Sequence, residues 1–201
     1  MPVYTIAGRR ILFVHVPKTG GMAISAALQQ AGDMRFDAPV RHDGHRFQPR
    51  HAAADTITSF YDTDWFDFIF LVVRDPVARA VSEYRYQRRK SGLHLARLIG
   101  FDTWLARALS RSAKDPSHRD NHFRPQTDFL LPQAQVFRYE DGLSAPLEAL
   151  SALTGLDLTA RLALRNPSPE PPFTPSDRSL DRLATAYRRD FETFGYPRPC
   201  P

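Results

Sequence analysis

Two stretches of the chain are apolar at nearly every position, residues 10–16 and Asp67-Phe-Ile-Phe-Leu-Val-Val73, and Gln135-Val-Phe-Arg-Tyr139 is a third candidate strand. Runs of this kind, with β-branched members, suit strands buried on both faces. The segments that follow them have helical character. Residues 22–31 are strong helix formers stopped by Gly32. Arg74-Asp-Pro-Val-Ala-Arg begins a helix with Asp75 as N-cap and Pro76 as first helical residue, predicted to run to about Arg89. Phe101–Ser110 is predicted as a helix with Trp104, Leu105 and Leu109 on its apolar side, and Leu143–Leu153 as another. His51–Phe60 reads as a short helix, and residues 33–50 show no clear period and read as loop. A Pro-rich crossing (Asn166–Pro175) leads to a last helix, whose cap is read in Thr174-Pro-Ser-Asp177 with Pro at the first helical position. Leu180, Leu183, Tyr187, Phe191 and Phe194 then share one face, and Gly195 ends the helix. Strand–helix alternation with apolar strands predicts an α/β fold around a central parallel sheet.

Composition narrows this picture only a little. At 201 residues, 42% hydrophobic and 24% charged, the chain is expected to form one globular domain over 1–201. Ten of its seventeen prolines follow residue 131, so the C-terminal third is expected to be loop-rich. The single cysteine, Cys200, leaves no disulfide framework and no thiolate metal site. No apolar run is long enough for a membrane span or a signal peptide, so the expectation is a soluble cytoplasmic protein. A net charge of +5 suits an anionic ligand but is too small to argue for nucleic acid.

The chemistry gathers where the first two strands end. Ile11-Leu-Phe-Val-His-Val-Pro-Lys-Thr-Gly-Gly21 runs from a strand through a glycine turn into a helix start. Backbone N–H groups and the positive end of a helix dipole then converge beside Lys18, which is an anion cradle. It is not a Walker A loop, because Lys18 precedes the glycines and Met22-Ala23 supply no hydroxyl for Mg²⁺. No acidic residue closes a strand in the Walker B manner, since Asp75 is committed to capping. Lys-Thr-Gly also occurs in serine β-lactamases, but the chain contains no Ser-x-x-Lys. At the second strand end, Arg74 with Ser82 eight residues on offers a guanidinium fork and a hydroxyl, a pairing suited to a phosphate dianion.

Together the two motifs resemble those of sulfotransferases that use 3′-phosphoadenosine 5′-phosphosulfate (PAPS). His15-Val-Pro-Lys-Thr-Gly-Gly21 is similar to the loop that holds the 5′-phosphosulfate. Val73-Arg-Asp-Pro-Val-Ala-Arg-Ala-Val-Ser-Glu-Tyr84 is similar to the segment whose Arg and Ser contact the 3′-phosphate. His122-Phe-Arg-Pro-Gln-Thr127, Val136-Phe-Arg-Tyr-Glu-Asp141 and Tyr187–Tyr196 resemble segments of the carbohydrate O-sulfotransferase branch. The resemblance implies a P-loop NTPase-like three-layer α/β/α fold. It also implies transfer of a sulfuryl group to a hydroxyl or amine of a carbohydrate or small-molecule acceptor, with no metal required. Pro17, Lys18, Thr19, Gly20, Gly21, Met22, Arg74 and Ser82 are then the donor contacts. Lys18 addresses the leaving phosphate, and the base lies among His51, His45, His122 and Glu83, with His51 the first choice. His122, Arg124 and Gln126 are assigned to the acceptor side. The run Arg85, Arg88, Arg89, Lys90 reads as a solvated helix end, or as a contact for donor or acidic acceptor.

One departure stands out: the family loop continues Gly-Gly-Thr-Ser, whereas this chain has Gly20-Gly21-Met22-Ala23. Losing two charge-assisted hydrogen bonds costs on the order of 2–4 kcal/mol of donor binding if nothing replaces them. The chain-level alternatives are a nucleotide kinase-like phosphotransferase and a non-catalytic nucleotide- or polyanion-binding protein.

Overall fold

A computed structural model describes residues 2–36, 40–42, 45–47, 49–89, 98–162 and 173–199, with 40–42 and 45–47 as backbone only. Lys90, Cys200 and residues 166–172 of the Pro-rich crossing lie outside the described residues. The chain forms two compact units, Met1–Val73 with Asp128–Asn166, and Arg74–Thr127 with Pro167–Pro201.

The first unit is built on a five-stranded sheet of order β3-β1-β2-β6-β7. Its strands are β1 (Val3–Ile6), β2 (Arg9–Val14), β3 (Asp33–Arg35), β6 (Phe68–Val73) and β7 (Gln135–Arg138). β2, β6 and β7 run parallel, with Ile11 opposite Phe68 and Phe70 opposite Gln135. β2 and β6 are the two long apolar runs of the sequence, and Leu12, Val14, Leu71 and Val73 are as buried as their neighbours on the other face, whereas β7, at the sheet edge, is exposed to half-buried. A parallel strand buried on both faces needs exactly that absence of alternation, because no side of it meets water.

The antiparallel part of the sheet lies outside the expected elements. β1 folds back on β2 through Ala7-Gly8, both left-handed (φ 49° and 76°), which is the geometry of a two-residue hairpin turn. β3 then pairs with β1. Residues 33–50 are accordingly not all loop, since β4 (Val40–His42) and β5 (His45–Phe47) also form a two-stranded hairpin. Three-residue strands rich in charged and histidine side chains carry too few positions to show a period of two.

Helix α1 (Gly21–Gln29) and helix α5 (Ser144–Thr154) cover one sheet face. Ile24, Ala27 and Leu28 from α1 meet Tyr4, Ile6, Ile11, Phe13, Phe70 and Val72 of the sheet, with Leu147 and Leu150 from α5. Phe13 and Phe70 stack across the parallel pair at 4.8 Å. The expected short helix after His51 is α2 (Ala54–Phe60), preceded by a tight turn at Pro49–His51.

The second unit is helical. α3 (Pro76–Arg89) starts as expected: the Asp75 carboxylate accepts the Ala78 N–H at 2.8 Å. α4 (Phe101–Lys114) runs one turn past its expected end. The last helix is two, α6 (Asp177–Ala186) and α7 (Arg188–Phe194), broken at Tyr187. Its cap is Ser176, not Thr174, and the Ser176 hydroxyl accepts from the Ser179 N–H. Ser179 in turn donates to Asp102 at 2.6 Å, tying α6 to α4 and, with Ser176, holding the Asp102 carboxyl below the usual range. Tyr84, Trp104 and Phe123 fill the centre, with ring centroids 5.1 and 5.5 Å apart along the series. No helix among the described residues is long and apolar enough to cross a membrane.

Tyr187, at the break, is buried, and its hydroxyl donates to the Phe123 carbonyl at 2.9 Å. Burial pushes its phenol up to about 12, against the opposing pull of Arg79. The folded state therefore favours the neutral phenol. That stabilisation is complete below the unfolded value near 10 and is lost as pH rises toward about 12. Denaturant titrations at stepped pH should lose on the order of 2–3 kcal/mol across this window. Tyr187→Phe should remove that loss, and an unchanged alkaline slope in the variant would contradict the assignment.

Candidate functional site

In the first unit the site is a turn clamped from two sides. β2 ends at Val14, and the next side chain, His15, is 3% exposed and stacks on Phe13 at 5.1 Å. Thr19 is fully buried, and its hydroxyl donates to the Val16 carbonyl at 2.9 Å, closing the turn. Any contribution of Thr19 to an anion therefore comes from its backbone.

Lys18 and Gly20 are both left-handed, with φ of 70° and 83°. For lysine this conformation costs roughly 1–2 kcal/mol, a strain typical of segments that aim backbone groups at a ligand. Gly20 then caps α1 without a side chain, and no acid occupies the first helical turn. The Ala23 N–H is taken by the Gly20 carbonyl at 3.0 Å, but no side-chain oxygen caps the amides at the start of α1, the condition for anion binding at a helix start.

Gly21 is required by sterics and Gly20 chiefly by its left-handed backbone. A Cβ on Gly21 would stand 2.2 Å from His15 Nε2 and 2.4 Å from His15 Cδ2. A Cβ on Gly20 would stand 2.7 Å from Leu143 Cδ1 and 3.1 Å from Tyr139 Cε2, on a backbone already left-handed. The loop thus lies against His15 at Gly21 and against Leu143 and Tyr139 at Gly20.

Met22, 58% exposed, stands beyond the loop, and Arg50 Nη1 reaches its sulfur at 3.1 Å. The neighbouring His51 sets its ring edge-on against His15 at 5.1 Å. Arg50 and His51 therefore lie directly beside the start of α1, which brings His51 into the neighbourhood of the Lys18 turn. His45 is placed only as a backbone position on β5.

In the second unit the expected residues gather on α3 and on the segment before Thr127. Arg74 is half-buried, and its main chain is gripped by the Gln126 side-chain amide. The Arg74 N–H donates to Oε1 at 2.9 Å, and Nε2 donates to the Arg74 carbonyl at 2.8 Å. Gln126 was expected on the acceptor side; it is fully buried and faces the Arg74 backbone instead. Ser82 lies two turns into α3 and is half-buried, and Arg124 is half-buried. His122 follows three consecutive left-handed residues, Arg119, Asp120 and Asn121, another strained approach. Its Nδ1 meets Glu83 Oε2 at 2.8 Å, and its ring stacks on Tyr86 at 6.3 Å.

Behind these residues runs a buried polar scaffold whose roles the sequence did not announce. Gln87 donates to Glu83 at 2.6 Å and accepts from Trp104 Nε1 at 3.0 Å. Arg79, 3% exposed, donates to the His122 carbonyl at 3.1 Å. Asp190, fully buried, accepts the N–H groups of Gln126 and Thr127 at 2.9 and 3.0 Å and the Thr127 hydroxyl at 3.1 Å. Two sequence signals were available: Arg79, Glu83 and Gln87 recur at four-residue steps on one face of α3, and Asp190 follows Tyr187 by three on an apolar face. His118, stacked on Phe123, is held below the usual histidine range by burial and by Arg119 and Arg111. At the end of α3, Arg88 and Arg89 are exposed, and Arg88 lies over the Tyr84 ring. No cluster of three or more potential metal ligands occurs among the described residues.

Residues 4–166 match the family model described as "Sulfotransferase family". The chain belongs to the sulfotransferase family. Among solved structures it is similar to a sulfotransferase from Alicyclobacillus acidocaldarius, at 16% identity over 94% of this chain and 96% of that one, with a TM-score of 0.46. A comparison with curated protein sequences returned no match.

The His15–Gly21 contact yields a test of the loop's construction. Gly21→Ala should destabilise the protein by about 1–3 kcal/mol in denaturant titrations, as overpacking does. Adding His15→Ala should recover part of that loss, a coupling that double-mutant analysis reads directly. Strictly additive losses would mean that the ring does not set the glycine requirement.

Proposed function

We propose that this sulfotransferase uses PAPS as donor and transfers its sulfuryl group to a hydroxyl, or an amine, of a carbohydrate or small-molecule acceptor. The observation that carries the reading is the uncapped start of α1 beside a left-handed Lys18, in a chain of this family. In the reaction, the acceptor oxygen forms a bond to sulfur while the bond from sulfur to the 5′-phosphate oxygen breaks. Negative charge grows on the departing phosphate of adenosine 3′,5′-bisphosphate. Lys18, with the amides of Thr19 to Met22, opposes that charge, and a pre-aimed set of donors is the efficient way to do so. Arg74 and Ser82 take the 3′-phosphate, where a guanidinium fork and a hydroxyl match a dianion.

The acceptor's proton goes to a base. His51 holds that role here, supported by its position beside His15 and the α1 start. His122, oriented by Glu83, belongs to the acceptor side with Arg124.

Transfer of labelled sulfate from PAPS to an acceptor panel tests the scheme. Lys18→Ala should lower kcat/KM by about 10²–10³-fold, the scale of a lost transition-state donor. His51→Ala should lower kcat by about 10²–10⁴-fold. Near-normal turnover by the Lys18 variant would overturn the donor assignment. A loss confined to His122→Ala would move the base to His122. Donor binding without transfer to any acceptor would favour a binding-only protein, the reading that Met22-Ala23 supports.

A further inference from the structure

Resting on the reading that Arg74 holds the donor's 3′-phosphate, we infer that Gln126 is a positioning residue for that recognition, anchored in turn by Asp190. Arg74 follows the last residue of β6, where the strand ladder ends and the main chain must be fixed by something else. The Gln126 carboxamide does this, accepting the Arg74 N–H and donating to the Arg74 carbonyl within 2.9 Å. Only a planar group with a donor and an acceptor side by side performs both tasks, which means the carboxamide of Asn or Gln or a protonated carboxyl. Gln126 is itself held, because its N–H and that of Thr127 both run to the buried Asp190 carboxylate. On the other side of Arg74, Asp75 caps α3. The direction in which Arg74 leaves the main chain is therefore set before any ligand arrives. Pre-setting it removes part of the ordering cost of gripping a phosphate.

This assigns a purpose to two segments that contain no proposed donor contact. His122–Thr127 supplies the amide clamp, and the segment Tyr187–Tyr196 supplies its anchor. The positioning role differs from a merely structural one in its dependence on the ligand. A structural defect weakens every nucleotide alike, whereas a misdirected Arg74 weakens only ligands carrying the 3′-phosphate.

The test compares affinities for adenosine 3′,5′-bisphosphate and adenosine 5′-monophosphate, taken as a ratio, in the full chain. Gln126→Leu should reduce this ratio by about tenfold, the equivalent of one compromised charge-assisted hydrogen bond. Thr127→Val removes the hydroxyl bond to Asp190 but leaves the clamp, so it should leave the ratio at the wild-type value. Gln126→Glu provides a second readout, because a protonated carboxyl restores both hydrogen bonds. Its deficit relative to wild type should shrink as pH falls from about 8 to about 5.5. An unchanged ratio in Gln126→Leu, together with a collapsed ratio in Arg74→Ala, would overturn the inference alone. An unchanged ratio in Arg74→Ala would instead overturn the donor reading on which it rests.

Discussion

The close approach of the His15 ring to the Cα of Gly21 is the contact on which the first unit's site depends. It requires a residue without a Cβ at the first position of α1, and the left-handed backbone of Gly20 favours glycine there as well. With both positions bare, the chain turns from strand to helix within a few residues. The leading amides of α1 then meet no side chain of their own. Lys18 is forced into a left-handed conformation by the same turn. The anion preference proposed for the loop follows from sterics first and charge second: a tight turn exposes donors, and the lysine adds the cation. Arg50 and His51 are drawn to the same place because Met22 and His15 give them surfaces to pack on.

The second unit solves a different problem. Its charged and polar groups sit inside a helical core, where an unpaired group would cost several kcal/mol. The groups behind the site are paired with defined geometry: Asp190 with two amides and a hydroxyl, Glu83 with His122 and Gln87, and Gln87 with Trp104. Such a network leaves few alternative arrangements, and a side chain attached to it is held in place without strain of its own. Arg74 is the residue that benefits most directly, through its main chain rather than its guanidinium.

Much of the scaffold was readable in the amino-acid sequence, for identifiable reasons. Strands β2 and β6 announce themselves because burial on both faces leaves almost no polar position, and Asp75-Pro76 announces a helix start because few other residues fit there. The antiparallel strands stayed hidden because they are three or four residues long and their turn, Ala7-Gly8, lacks the usual Asn-Gly or Asp-Gly signature. The break at Tyr187 stayed hidden because Leu183, Tyr187, Phe191 and Phe194 keep a helical period across it, with no proline or glycine to mark the change. At the site, the identity of Gln126 was legible but its direction was not. Its partner is the backbone of a residue 52 positions away, and no local pattern encodes such a contact.

The central proposal is that the protein binds an adenosine bisphosphate, the Lys18 turn taking one phosphate and Arg74 the other, with no bridging cation. Calorimetric titration in the presence of a chelator tests it most directly. Saturable binding of adenosine 3′,5′-bisphosphate under chelation, tighter than that of ATP with Mg²⁺, is the result this account predicts. Binding of ATP with Mg²⁺ in preference to the bisphosphate would contradict it.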